Sequence, residues 1–249
     1  MRKRILVTGG ARGVGAAIVT ALATGGYDVD FTYRNSGEEA QSLISHLKQT
    51  TPDVTVTARQ LDLAETGSLD IFAEAAEEQA YWGLVHNAGQ PYDVLAAMMA
   101  QDKAEAIMQV NFWSLTRLAK AVVRGMIRAR GGRIAVIGSV AALQGNPGNA
   151  AYAASKGALL SYCRTLAIET AKRGITVNYV APGFIDTEMM APYAAYRTQM
   201  ETQIPAGRFA KPDDVAAMAA FLMGPGAAYV TGAVLPVDGG MTAMIGVHR

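Results

Sequence analysis

The sequence lacks the residues on which several classes of protein depend. Its 249 residues include one cysteine and three histidines, and its formal net charge is +1. A single cysteine, Cys163, cannot form an internal disulfide, so we expect a protein of the reducing cytoplasm. The scattered His46, His86 and His248 predict no metal site. The nearly balanced charge argues against binding to nucleic acid through bulk charge.

A long hydrophobic run is also absent. No apolar stretch approaches the roughly 20 residues that a helix needs to span a bilayer. The apolar run at residues 5–7 is followed at once by Thr8 and Gly9, which makes it far too short for the core of a signal peptide. We therefore expect no membrane association.

What the chain does contain is a regular alternation of strand and helix patterns. Strands are predicted at residues 5–8, 29–33, 54–60, 83–86, 133–137, 175–180 and 234–237. Helices are predicted at residues 13–24, 38–48, 68–79, 104–128, 152–172 and 212–223. Nearly continuous apolar strands that alternate with helices are typical of a parallel sheet covered on both faces. We expect one doubly wound α/β domain over residues 1–249, with an aperiodic substrate lid at about residues 187–207.

A glycine-rich turn follows the first strand and leads into the first helix. It reads Thr8-Gly9-Gly10-Ala11-Arg12-Gly13-Val14-Gly15. Glycines in this position let backbone N–H groups approach a pyrophosphate at a helix N-terminus. The turn therefore predicts a dinucleotide site.

Two residues with reactive side chains are spaced by one helical turn. Tyr152 and Lys156 project from the same face of the predicted helix. At roughly 4 Å and an effective dielectric of about 20, an ammonium would stabilise a phenolate by about 4 kcal/mol. We therefore expect the pKa of Tyr152 to fall towards neutrality, where a general acid works best.

These motifs together resemble the short-chain dehydrogenase/reductase family. Gly9, Gly13 and Gly15 have the spacing TGxxxGxG of that family, which differs from GxGxxG. The likeness runs along the whole chain. Its further elements are Asp62, Asn87-Ala88-Gly89, Asn111, Ser139, Tyr152, Lys156, Pro182-Gly183, Thr187 and Val237-Asp238-Gly239-Gly240.

The resemblance implies a catalytic role for four residues. Tyr152 would be the general acid/base of a carbonyl/alcohol interconversion, and Lys156 would lower its pKa and bind the nicotinamide ribose. Ser139 would hydrogen-bond the substrate oxygen. Asn111, within a helix, would hold a water that passes protons towards Lys156.

The resemblance also implies a nicotinamide cofactor. Thr187 and the backbone near Ile185 would seat its carboxamide. The expected contacts are Thr8, Gly9, Arg12, Gly13, Val14, Gly15, Arg34, Asn35, Asp62, Leu63, Asn87, Ala88, Gly89, Tyr152, Lys156, Pro182, Gly183, Ile185 and Thr187.

The end of the second strand decides between NADPH and NADH. An acidic side chain there would accept from the ribose hydroxyl of NAD, whereas arginine accommodates the phosphate of NADP. Arg34 and Asn35 occupy this end, and Arg12 adds a second cation. We expect NADPH, with NAD bound through Asp28 or Asp30 as the alternative.

Within the family, the chain resembles β-ketoacyl-[acyl-carrier-protein] reductases. Residues 33–36, 181–189, 204–209 and 237–241 carry this likeness. Residues 80–87 resemble the subgroup that serves aryl polyene biosynthesis. The alternatives are a dehydrogenase of sugar, steroid or other small alcohols and, in another class, a non-catalytic NADPH-binding regulator.

One departure from the family pattern lies beside the cofactor motif. The common Asn-Asn-Ala-Gly begins here with His86, for which we expect packing at a strand end; contact with the adenosine side of the cofactor is the alternative.

The resemblance further implies two kinds of partner. We expect a homotetramer through the helices at 104–128 and 152–172, both richer in apolar residues than one buried stripe requires. An acidic acyl carrier protein would dock near Arg130 and Arg173, in the basic groups that follow these helices.

Overall fold

Seven parallel strands form one sheet in the computed structural model, which describes residues 2–244. The order is β3-β2-β1-β4-β5-β6-β7, and every neighbouring pair runs parallel. The strands are β1 (Arg4–Thr8), β2 (Asp28–Tyr33), β3 (Val56–Gln60), β4 (Gly83–His86), β5 (Gly132–Ile137), β6 (Ile175–Pro182) and β7 (Val234–Val237). Because the strand order reverses between β1 and β4, a crevice opens at their carboxyl ends.

Helices cover both faces of this sheet, as the alternating pattern predicted. They are α1 (Gly13–Thr24), α2 (Gly37–Thr50), α3 (Thr66–Glu78), α4 (Gln101–Met108), α5 (Ser114–Ala129), α6 (Ala150–Thr170), α7 (Arg197–Glu201) and α8 (Pro212–Met223). One hydrophobic core packs α1, α2 and α8 against the sheet, and a second packs α3, α5 and α6 against the other face.

The strands explain why both cores form. Leu6 faces one core while its neighbours Ile5 and Val7 face the other, and all three are fully buried. Every residue of β5 and β6 is buried. Among residues 2–244, no helix is both long and apolar enough to cross a bilayer.

The predicted helix at residues 104–128 is interrupted. Between α4 and α5 lies one π-helical turn, Gln109–Trp113, which contains Asn111. The hydroxyl of buried Ser114 donates to the carbonyl of Val110 at 2.6 Å. A side-chain donor on a helical carbonyl competes with the backbone N–H that would otherwise bond there, which favours such a bulge.

The segment predicted as an aperiodic lid has short helical structure. Residues Glu188–Tyr196 form a 3₁₀ helix, and α7 follows directly. None of their residues is fully buried, so this segment contributes little to either core.

Gly138 offers a test of how tightly the sheet is packed. A Cβ at this position would lie 1.8 Å from Cζ of the buried Tyr179 ring. We expect Gly138→Ala to lower the free energy of unfolding by roughly 1–3 kcal/mol or more, because the rigid ring must move. Urea unfolding measures the change.

The matched control is Gly67→Ala at the exposed start of α3, where a Cβ would meet no atom within 4 Å. Alanine there should leave stability unchanged or raise it by up to about 1 kcal/mol. Equal stability of the Gly138→Ala protein would contradict the packing described.

Candidate active site

The four expected catalytic residues come together at the carboxyl ends of β4 and β5. Asn111 lies in the π turn, Ser139 lies two residues beyond the end of β5, and Tyr152 and Lys156 lie in the first two turns of α6. Gly89, after β4, lies between them: a Cβ there would be 3.1 Å from Nζ of Lys156 and 3.3 Å from Oδ1 of Asn111.

Lys156 is the buried charge of this site. Only 3% of the residue is exposed, and its Nζ donates to the carbonyl of Ile137 at 3.1 Å. Burial lowers the pKa of this ammonium to about 8, because an apolar environment disfavours the charged form. At pH 7 the group is still mostly protonated.

The expected fall in the pKa of Tyr152 is wrong for this structure. Burial raises the pKa of the phenol above its usual value, and nearby Asp93 acts in the same direction. A hydrogen bond with Ser139 opposes them but is the smaller effect. Nζ of Lys156 lies 5.6 Å from the centre of the Tyr152 ring. The expectation from spacing omitted desolvation, which here is the largest influence on the pKa of Tyr152.

The side-chain amide of Asn111 forms all of its hydrogen bonds as a donor with other residues of the protein. Its Oδ1 accepts from the backbone N–H of Gln90 at 2.8 Å. Its Nδ2 donates to the carbonyl of Gln90 at 3.1 Å and to the hydroxyl of Ser155 at 2.9 Å. Because both amide hydrogens are used, the side chain ties the loop after β4 to α6.

Two residues of this network were missed by the sequence analysis. Ser155 links Asn111 to the backbone carbonyl of Tyr152, to which its hydroxyl donates at 2.7 Å. The hydroxyl of Tyr179 accepts from the N–H of Ser139 at 2.9 Å and lies 3.2 Å from the carbonyl of Lys156. Ser155 stands between Tyr152 and Lys156 and could have been suspected. Tyr179 lies within β6, where an aromatic residue looks like any other core residue.

The glycine-rich turn has the geometry that a pyrophosphate needs. Gly9 and Gly13 adopt positive φ angles of 66° and 53°. A Cβ on Gly15 would lie 1.9 Å from the carbonyl oxygen of Gly9, so only glycine lets α1 pack on the turn. The turn fits the diphosphate of a dinucleotide at the N-terminus of α1, where Val14 is partly buried.

Residues after β4 hold this turn in place. The hydroxyl of Thr8 accepts from the N–H groups of Asn87 and Ala88, both at 3.1 Å. The side chain of Asn87 donates to the carbonyls of Thr8 and Gly9 at 3.2 and 3.0 Å.

A cleft of about 260 Å³ lies at the carboxyl ends of β2 and β3. Arg34 and Asn35 are exposed on one side, and Asp62 lies on the other, where its carboxylate accepts from the N–H of Ala64. The side chain of Leu63 is buried in the core, so a ligand in the cleft could reach only its backbone. The lining residues are Arg34, Asn35, Gln60, Leu61, Asp62 and Ser68.

The two aspartates of β2, which were the alternative ligands for NAD, are bonded to other residues of the fold. Asp30 is 3% exposed and accepts from the hydroxyls of Tyr81 at 2.7 Å and Thr57 at 2.5 Å. Asp28 and Asp30 both pair with Arg4, at 3.6 and 3.4 Å. Neither carboxylate lies at the carboxyl end of β2, where a ribose would bind.

Arg12 has a different partner from the one expected. Its guanidinium pairs with Glu188, in the segment after β6, at 2.9 Å, and both side chains are largely exposed. The sequence placed Arg12 on a cofactor phosphate. Here it bridges the glycine-rich turn to the expected lid.

The start of that lid is close to the glycine-rich turn. After β6 ends at Pro182, the N–H of Gly183 bonds to the carbonyl of Val237 at 3.1 Å. Ile185 forms a β-bridge with Ala210. The methyl of Thr187 lies 3.5 Å from the place that a Cβ on Gly13 would take.

Comparison with known proteins identifies the family. A family model described as enoyl-(acyl carrier protein) reductase matches residues 9–242. The 3-oxoacyl-[acyl-carrier-protein] reductase FabG of Vibrio cholerae is 40% identical, over 96% of this chain and 97% of that protein. The chain belongs to the short-chain dehydrogenase/reductase family. The expected oxidoreductase on a Rossmann-type sheet is thereby confirmed.

Two solved structures agree with this assignment. A structure from Beutenbergia cavernae is described as an NAD(P)-dependent gluconate 5-dehydrogenase with NADP bound at low occupancy. It superposes with a TM-score of 0.92 and is 32% identical, over 97% of each chain. A Serratia marcescens short-chain dehydrogenase/reductase variant superposes with a TM-score of 0.89 at 37% identity, over 96% of this chain and 98% of that one.

The burial of Lys156 predicts a pH dependence of stability. Its pKa is about 8 in the folded state and about 10.4 unfolded, so folding favours the neutral amine. Above about pH 10.4 both states are neutral and the charge adds no cost; below pH 8 both are charged and the folded state bears the full cost of burying the charge. We expect the stability of Lys156→Met relative to the natural protein to be higher at pH 7 than above pH 10.4 by roughly 3 kcal/mol, with the change falling between pH 8 and 10.4.

Urea unfolding without cofactor at several pH values measures this difference. Lys48→Met, at the exposed end of α2, is the control and should show no such dependence. A difference for Lys156→Met that stays constant with pH would mean that the lysine is not destabilised by burial.

Proposed function

We propose that this protein is an NADPH-dependent reductase that converts a β-ketoacyl thioester on an acyl carrier protein to the β-hydroxyacyl thioester. The observation that carries the proposal is the placement of Tyr152, Lys156, Ser139 and Asn111 in one network. That network adjoins the glycine-rich turn through Gly89 and the residues before it. The likeness to 3-oxoacyl-[acyl-carrier-protein] reductases over nearly the whole chain supports it.

Each catalytic residue has a physical task in the proposal. Bound NADPH supplies a hydride to the ketone carbon. The hydroxyl of Tyr152 donates its proton to the carbonyl oxygen as negative charge develops there. Its raised pKa keeps the phenol protonated, as a donor must be. Ser139 hydrogen-bonds the same oxygen.

Lys156 and Asn111 support this proton transfer. The ammonium of Lys156 would bind the nicotinamide ribose, and its positive charge would be most favourable in the transition state, when negative charge develops on the phenol of Tyr152. Asn111 holds the loop after β4 and Ser155, and through them the start of α6. A water held near Asn111 would return protons towards Lys156.

The cofactor contacts remain those expected from the sequence, with two adjustments. Arg34 and Asn35 would contact the 2′-phosphate at the mouth of the cleft, because a guanidinium pairs well with phosphate oxygens. Arg12 can join them only if it leaves Glu188, and Leu63 can contribute only through its backbone. Ile185 and Thr187 would seat the carboxamide.

The rim of the site favours an apolar substrate over a sugar acid. Segments at the carboxyl edge expose large apolar side chains, which suit an acyl chain: Leu95, Met98, Leu143, Met189 and Tyr196. The lid arginine Arg197 is held by Asp186 at 2.7 Å and by Glu201 at 3.0 Å. A sugar acid such as gluconate would call for a cation there, so this rim supports a ketoacyl substrate.

The aryl polyene assignment rests on resemblance alone. Its segment, residues 80–87, contributes side chains to the interior of the sheet, where Tyr81 bonds to Asp30 and His86 is fully buried. None of these contacts distinguishes one acyl chain from another.

A panel of substrates tests the proposed function. Oxidation of NADPH is measured with acetoacetyl thioester, longer β-ketoacyl thioesters, unsaturated aryl β-ketoacyl thioesters, an enoyl thioester and a ketogluconate. We expect turnover with ketoacyl thioesters and little with the others. Preference for the sugar acid would replace the proposal with the alcohol dehydrogenase, and binding of NADPH without turnover of any substrate would favour the regulator.

The carrier-docking surface is proposed at the opposite edge of the sheet. Arg130 and Arg173 are both exposed. Their turns are adjacent, because a Cβ on Gly174 would lie 3.0 Å from the carbonyl of Arg130. Their neighbours Arg124 and Arg128 both pair with Glu77 and are less available. Because the catalytic network lies at the carboxyl edge, a carrier docked here would serve the active site of another subunit of the proposed homotetramer.

Removing the phenol should separate chemistry from binding. Tyr152→Phe keeps the ring but loses the proton donor, so we expect kcat to fall by about 10²–10⁴-fold with little change in the affinity for NADPH. Lys156→Ala should lower kcat and also weaken NADPH binding through the ribose. Steady-state kinetics and fluorescence titration of NADPH measure both. Equal, mild effects of the two changes would contradict the assigned roles.

Arg34→Asp should shift cofactor preference from NADPH towards NADH. The change removes a phosphate partner at the cleft and adds a repelling charge. The ratio of kcat/KM for the two cofactors measures the shift, and Lys48→Asp on the exposed end of α2 is a control for added negative charge. A natural protein that already prefers NADH would overturn the NADPH assignment.

Reversing both charges of the docking surface should affect only carrier-bound substrate. For Arg130→Glu/Arg173→Glu we expect KM for a ketoacyl carrier protein to rise strongly, while a small soluble thioester is reduced almost as before. The difference should shrink as salt is raised, because screening weakens docking of the natural protein too.

Lys48→Glu controls for lost positive charge, and light scattering checks that the oligomer is intact. An equal loss on both substrates would mean that these arginines support the fold or the assembly instead of docking.

A further inference from the structure

His86 occupies a position that the cofactor and catalytic assignments leave unexplained. It ends β4, is fully buried, and begins the motif whose other residues hold the glycine-rich turn. Its ring lies between two polar atoms: Nδ1 is 3.2 Å from the hydroxyl of Thr8, and Nε2 is 3.3 Å from the backbone carbonyl of Asn111.

These two contacts fix where the ring carries its proton. The carbonyl of Asn111 can only accept, so Nε2 must carry a hydrogen and donate it. The hydroxyl of Thr8 already accepts from the N–H groups of Asn87 and Ala88, so its own hydrogen is available for Nδ1. The arrangement therefore fits a neutral imidazole with hydrogen on Nε2 and a lone pair on Nδ1.

The surroundings oppose a second proton on this ring. Protonated Nδ1 would place a third donor against the oxygen of Thr8. Burial is the main reason that a second positive charge is disfavoured, and the nearby ammonium of Lys156 acts in the same direction, so the pKa of His86 falls to about 3. The ring thus stays neutral over the range in which the protein works.

The two partners of His86 belong to the two halves of the proposed active site. Thr8 ends β1 and leads into the turn that would hold the pyrophosphate. Asn111 lies in the π turn, and its side chain is bonded to Gln90 and Ser155. The imidazole connects the side chain of Thr8 in one half to the backbone of Asn111 in the other.

We propose that His86 is a positioning residue, which holds the carbonyl of Asn111 through Nε2–H and so sets the π turn relative to the glycine-rich turn. This role rests on the proposed function, because it acts on catalysis through Asn111. His86 itself is buried behind both segments and is assigned no contact with substrate.

Kinetics of two variants test the role. His86→Leu keeps approximate size but removes the donor, leaving a buried carbonyl without this partner. We expect kcat to fall roughly tenfold, or about 1.4 kcal/mol in activation free energy, because the turn that carries Asn111 loses this anchor. KM for the thioester and the dissociation constant of NADPH should change little. His86→Gln can place an amide N–H near the position of Nε2 and should restore most of kcat.

His46→Gln, at an exposed position of α2, is the matched control and should behave as the natural protein. Equal loss of kcat in His86→Leu and His86→Gln would overturn the proposal, as would a loss confined to NADPH affinity.

The protonation state can be tested without any activity. In ¹⁵N-histidine-labelled natural protein, two-bond ¹H–¹⁵N correlation spectra distinguish the two neutral tautomers. The resonances absent from both His86 variants should show the Nε2–H pattern, unchanged between pH 6 and 8. An Nδ1–H pattern, or titration near pH 6.5, would overturn the proposal even if the enzyme proves to be a ketoacyl reductase. The predicted pattern in a protein that reduces no ketoacyl thioester would instead count against the proposed function.

Discussion

The burial of one ammonium group is the constraint on which this active site depends. Lys156 is almost completely enclosed, and the backbone around it is arranged to receive a charge. The carbonyl of Ile137 accepts from it, Gly89 leaves room for it, and the hydroxyl of Tyr179 lies against the carbonyl of Lys156 itself. Burying a charge costs free energy unless its partners are well placed. Near the lysine, Asn111 is held by the N–H of Gln90, and the hydroxyl of Tyr179 by the N–H of Ser139.

The same constraint explains why the phenol of Tyr152 stays protonated. A phenol that shares this poorly solvated space is held in its protonated form, because burial disfavours the phenolate more than the hydrogen bond with Ser139 favours it. Such a group is a ready proton donor. The ammonium becomes most useful when negative charge appears beside it during reaction, which is the condition for catalysis by differential stabilisation.

The sheet divides the proposed tasks between its two edges. The glycine-rich turn, the cleft beside Arg34 and the catalytic network lie at the carboxyl ends of the strands, on both sides of the reversal between β1 and β4. Arg130 and Arg173 lie beside the amino ends of β5 and β6. A carrier protein at that edge could reach chemistry only in a neighbouring copy, so docking and assembly are linked in the proposed function.

Periodicity predicted the succession of strands and helices along the chain, and spacing predicted the glycine-rich turn and the placement of Tyr152 and Lys156 on one helix. Asn111 and Ser139 were expected from the family resemblance, and the catalytic role of all four residues stays a prediction. The sequence did not predict the π turn, which depends on the hydroxyl of Ser114 competing for one carbonyl. The environment of Tyr152 and the pairing of Arg12 with Glu188 were also missed, since they depend on segments far apart in the chain. Burial of a charged group is a property of the assembled fold and cannot be read from spacing.

The most direct test of this account is the titration of Lys156 itself. Lysine labelled with ¹³C at Cε gives one resonance per residue, and the signal missing from Lys156→Met identifies the buried group. In the protein without cofactor we predict that this signal titrates near pH 8, well below the value of about 10.4 that is usual for a lysine side chain. Titration of Lys156 together with the exposed lysines would contradict the claim that a buried ammonium organises the site.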